Sequence, residues 1–144
     1  MRRLVRLVLA VVAGLLFGGV VNLSLIMVSG SVIPPPAGAD VTTTEGLKAS
    51  LHLFEPRHFI FPFLAHSLGT FVGAVVATLL TPGRTAGPAY GVGLAFLFGG
   101  IASVYMLPAP LWFSAIDLVA AYLPAAWLGH RLVSRNVAKT VSGA

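Results

Sequence analysis

The sequence predicts an all-α, polytopic membrane protein: four transmembrane helices in an antiparallel bundle, with a short surface helix in an outer loop. Three observations carry this. Hydrophobic residues make up 57% of the 144 positions and charged residues only 9%, against about a quarter charged in a soluble domain. The mean hydropathy is +0.93, so the solvent that fits such a surface is lipid. Four apolar runs reach the roughly 20 residues needed to cross a hydrocarbon core. The length allows one domain, with no separate soluble module.

The spans are expected at about 4–30, 58–80, 87–107 and 110–130, with an external loop at 31–57. The first follows "MRR", as a secretory signal would. Its apolar run is about twice as long as a signal's core of roughly 7–15 residues, so it is expected to stay as a span, with cleavage near "VSGS" as the alternative. Orientation follows from the basic residues. Arg2, Arg3, Arg6, Arg84, Arg131, Arg135 and Lys139 fall on one side, seven of the nine, and Lys48 and Arg57 on the other. Both termini are therefore expected in the cytoplasm, with the protein a multi-pass resident of the cell's inner (plasma) membrane. The net charge of +5 belongs to this topological pattern and not to nucleic-acid binding.

The loop opens with "PPP", a stiff extended run, followed by "TTTEGLKASLHLF". A threonine cap and Glu45 in the first turn start a helix there. Leu47, Leu51 and Phe54 share one face, which is expected to lie on the membrane surface, with Pro56 ending the helix. Glycines mark close packing. Gly14, Gly18 and Gly19 lie along span one, Gly69 and Gly73 form a G-x-x-x-G in span two, and Gly91, Gly93, Gly99 and Gly100 line span three. Packing within one bundle is expected ahead of a dimer contact. Pro62 and Pro124 lie inside spans and are candidate kinks.

At a rise of about 1.5 Å per residue, depth can be counted from the outer end of each span. His66 lies about 12 Å in, Asp117 about 10 Å and Asn22 about 12 Å. Three polar side chains from three spans thus share one level, with Ser24, Ser67, Thr70, Ser103 and Ser114 around them. A lone carboxylate in hydrocarbon is costly and must be paired, neutralised or hydrated. His66 is its expected partner, and Asn22 a further donor or acceptor. Such a cluster can simply lock helix register. It can also relay protons or an ion, anchor a small ligand, or act as an acid–base pair.

His52, Glu55 and His58, at three-residue intervals in "HLFEPRH", form a weaker candidate metal site; Pro56 interrupts the helix that would align them. "MLPAPLWF" reads as an outer turn with Trp112 at an interface, or as a lid over the polar layer beside Tyr105. The chain has no cysteine, which excludes disulfides, thiolate metal sites and thiol nucleophiles. No nucleotide loop, G-x-S-x-G, H-E-x-x-H or paired-Asp pattern is present, so no enzyme and no cofactor is expected.

The arrangement of "PPPAGAD", "HFIFPFLAH" and "MLPAPLWFSAIDL" around four spans resembles uncharacterised small four-span bacterial membrane proteins, and that resemblance implies no activity. The first span lacks the carboxylate used by small multidrug exporters. The leading expectation is a small membrane protein whose outward-facing polar pocket binds or passes a small solute or protons. Passage of a solute would call for a homo-oligomer. The alternative is a structural or accessory subunit packed against a larger membrane partner, with no chemistry of its own. An intramembrane enzyme built on His66 and Asp117 is the distant third.

Overall fold

The structure, a computed structural model, describes the backbone of residues 2–142 and the side chains of residues 2–135; Lys139, counted above for orientation, has its side chain outside the described residues. The described chain is helical, in the order α1 (Arg2–Val32), α2 (Thr44–Ser50), α3 (Ile60–Leu80), α4 (Gly87–Met106), α5 (Leu111–Ala120) and α6 (Leu123–Ser142). Short 3₁₀ turns stand at Leu51–Leu53, Pro56–Phe59 and Pro82–Arg84. Four segments are long and apolar enough to cross a membrane: α1, Pro56–Leu80, α4, and Leu111–Arg135 across α5 and α6.

Helix α3 packs against α1, α4 and α6. Small residues make the close approaches possible. Gly14 and Gly18 of α1 face Gly73 and Gly69 of α3, so two G-x-x-x-G runs meet antiparallel. A methyl group at Gly14 would fall 2.6 Å from the Gly73 carbonyl oxygen, and one at Gly18 2.5 Å from that of Gly69. In α6, a methyl group at Gly129 would likewise fall 2.7 Å from the Phe71 carbonyl oxygen. Buried Thr70, Thr78 and Thr81 return their hydroxyls to the carbonyls of His66, Ala74 and Ala77, so α3 buries polar side chains without leaving donors unpaired. Gly83, at φ +71°, lets the "TPGR" turn reverse the chain between α3 and α4.

The expected fourth span is not one helix. The chain bends at Ala121 and Tyr122 between α5 and α6. The cause is Pro124, which has no N–H to give to Ala120 and crowds that carbonyl. The Ala121 amide still donates to Asp117, and the Ala126 amide to Tyr122, so the break is confined to one turn. Pro62 makes no kink because it lies in the first turn of α3, where its missing donor is not needed.

The loop helix α2 forms as its sequence requires: the Thr43 hydroxyl accepts from the Gly46 amide at 2.9 Å, satisfying a free donor of the first turn. It ends earlier than expected, through the turn at Leu51–Leu53, and Pro56 starts the next turn instead of stopping this helix. Asp40 ties the loop together. Its amide donates to the Ser50 hydroxyl at 2.9 Å, and its carboxylate accepts from the Thr42 amide and hydroxyl at 2.8 and 2.6 Å. These bonds hold its carboxyl below the usual carboxylate range, the Thr42 hydroxyl contributing most.

Candidate functional site

Asp117 sits on the last turn of α5 and is only 3% exposed. Both its oxygens lie 2.9 Å from Nδ1 of His66, on α3. Oδ2 also accepts the Tyr122 hydroxyl at 2.9 Å. The Tyr122 ring, itself 1% exposed, stacks on the His66 ring with centroids 5.6 Å apart. Gly100 of α4 makes room for it: a methyl group there would overlap the phenol. The carboxylate, the imidazole and the phenol form one hydrogen-bonded unit drawn from α5, α3 and the bend.

An Nδ1 that donates to a carboxylate leaves Nε2 as the ring's free position, a bare acceptor in neutral imidazole. Among the described residues, Nε2 makes no hydrogen bond with a side chain or backbone group. His66 and Asp117 of this unit form the floor of a cavity of about 510 Å³. Ile26 and Met27 of α1, Ile33 just after it, Leu47 and Leu51 near α2, Phe61 of α3, Val104 of α4 and Phe113 of α5 supply its apolar walls. Ser103 and Ser114 add hydroxyls. Ser114 is 5% exposed, and its Oγ is buried without a hydrogen-bond partner. Buried polar atoms are nearly always paired; this one has almost no accessible surface even toward the cavity.

The expected site residues divide into three groups. His66, Asp117, Ser103 and Ser114 all border the cavity. Ser67 and Thr70 do not; their hydroxyls are spent on the α3 backbone, Ser67 on Phe63 and Thr70 on His66. Ser24 likewise bonds Val20 of its own helix. Asn22 is at the expected level but packs its Cβ and backbone against Gly69 and makes no hydrogen bond with Asp117 or His66. Its place in the unit is taken by Tyr122.

His52, Glu55 and His58 do not converge as a set of three, although Glu55 and His58 cap each other's backbone at the turn Pro56–Phe59. The His52 ring bonds the Ala49 carbonyl, and His58 Nδ1 accepts from the Glu55 amide. Glu55 instead pairs with Arg57 at 3.0 Å. No group of three metal-ligating side chains occurs among the described residues. Neither residue named for the outer turn lines the cavity: Trp112 packs edge-on against Phe59, and Tyr105, 83% exposed, stands away from it.

Asp117, His66 and Tyr122 can hold a proton between them and present one nitrogen to whatever fills the cavity. Neither a protein-family model, nor a curated protein, nor a solved structure matches this chain.

Proposed function

We infer that this chain is a small integral membrane protein that holds a small organic solute in a pocket reached from the outer side. In this reading the four long segments form an antiparallel bundle in the plasma membrane. The basic residues at 2, 3, 6, 84, 131 and 135 lie on the cytoplasmic side, and the loop carrying α2 lies outside. The cavity carries the reading. About 510 Å³ falls within the roughly 300–1,000 Å³ of sites for organic ligands. That is far more than an ion or a file of waters needs. A carboxylate is costly at membrane depth. Helix pinning alone is served by serine or asparagine at lower cost, whereas here the carboxylate orients an imidazole toward open space.

Native mass spectrometry of the protein released from nanodiscs of its own membrane tests this. Wild type should carry a small-molecule adduct. Leu51→Trp, which fills the cavity from its α2 side, should release it. Bare mass for both proteins would contradict the pocket.

A further inference from the structure

We propose that the solute is a lipophilic amine, bound with its ammonium head on the cavity floor and its apolar part along the walls. The proposal rests on the pocket reading above and adds the chemistry of the head. Two residues with a polar atom that bonds no side chain or backbone group among the described residues border the cavity, His66 with its free Nε2 and Ser103 with its hydroxyl; the Ser114 hydroxyl beside them is also without a partner but has almost no accessible surface. With Nδ1 donating to Asp117, Nε2 of neutral His66 is an acceptor, and the Ser103 hydroxyl can accept. A primary ammonium has three donors and no acceptor, so it can serve both.

Charge points the same way. Asp117 is buried, and no lysine or arginine lines the cavity. A cationic head balances the carboxylate through the imidazole. A carboxylic acid would bring a second negative charge to a site of low dielectric, where like charges repel strongly. A quaternary ammonium would bring the charge but no N–H. An alcohol would bring a donor but no charge. Above the floor the walls are mostly apolar, with Ser29 and His58 the polar side chains among them, which suits an alkyl or aryl body.

Full-length protein in phosphatidylcholine nanodiscs, with empty nanodiscs subtracted, should bind radiolabelled decylamine saturably. Decanol, decyltrimethylammonium and decanoate should each need at least about tenfold higher concentration than unlabelled decylamine to displace it, the scale of one charge-assisted hydrogen bond. In Asp117→Asn, which keeps a hydrogen-bond partner for His66, the preference for decylamine over decanol should shrink to near one. The proposal is overturned if decyltrimethylammonium or decanoate competes as well as decylamine. An amine preference that survives in Asp117→Asn also overturns it, as does the absence of saturable decylamine binding. An adduct in the native mass spectrum together with any of these results removes the amine assignment and leaves the pocket standing.

Discussion

A carboxylate withdrawn from water must keep its acceptors occupied, and Asp117 does so with one imidazole and one phenol. Asp117→Leu removes the partner of both. A buried donor left without its acceptor costs about 1–3 kcal/mol, so thermal unfolding in nanodiscs should show a clear fall in Tm. Asp117→Asn keeps an acceptor for both groups and sheds the charge, so it should fold with a Tm near or above that of wild type. If Asp117→Asn unfolds as readily as Asp117→Leu, the charge itself holds the helices together and the pairing argument fails. Gly100→Ala tests Tyr122 separately. The added methyl collides with the phenol, and overpacking costs about 1–3 kcal/mol. The ultraviolet resonance Raman signature of a tyrosine hydrogen-bonded to carboxylate should be lost in that variant. Its persistence would mean that the ring has room which the structure denies it.

At the scale of elements, the break between α5 and α6 decides what the fourth segment can do. In an unbroken helix Tyr122 would lie about 7.5 Å below Asp117 and about 140° around the axis, where no hydrogen bond between them would be expected. That is why the sequence pointed to Asn22 and not to Tyr122. Depth counting gives height but not direction, and the bend supplies the direction. The Pro124 signal was present in the sequence, but as a kink without a consequence. Pro124→Ala should let the helix close across residues 121–124. Hydrogen exchange there should slow, and the Tyr122–Asp117 bond should weaken. Unchanged exchange would place the cause of the bend elsewhere.

The span limits, by contrast, were legible to within about two residues for α1, α3 and α4, because uninterrupted apolar runs and Gly/Pro boundaries define them. Serines and threonines were less so. Ser67 and Thr70 share the composition of a polar layer, yet their hydroxyls bond their own helix, an option that sequence does not distinguish from an open site. The loop element depends on Asp40. Its depressed carboxyl contributes stability that is fully present above the ordinary value of about 3.9 and is lost as pH falls through the lowered value. Protection of the Thr42 and Gly46 amides, corrected for intrinsic rates, should therefore hold at pH 6 and drop in strong acid. Equal protection across that range would remove Asp40 as the tie.

For the whole molecule, close packing and cavity stand at different heights. The glycine contacts between α1, α3 and α6 lie at mid-height of α3, at residues 69–73. The end bearing α2 holds the cavity. Impermeant thiol reagents should label Thr43→Cys from outside intact cells and Thr85→Cys only after the membrane is opened; the chain's lack of cysteine gives a silent background. The reverse pattern would turn the pocket toward the cytoplasm.

The claim that joins these scales is that Asp117 fixes the His66 tautomer so that Nε2 faces the cavity. Solid-state ¹⁵N NMR of histidine-labelled protein in bilayers, assigned with a His66→Gln control, reads it directly. The account predicts a protonated Nδ1, an unprotonated Nε2, and a movement of the Nε2 resonance when decylamine is added. A bare Nδ1 with a protonated Nε2, or an Nε2 resonance indifferent to the amine, would contradict it.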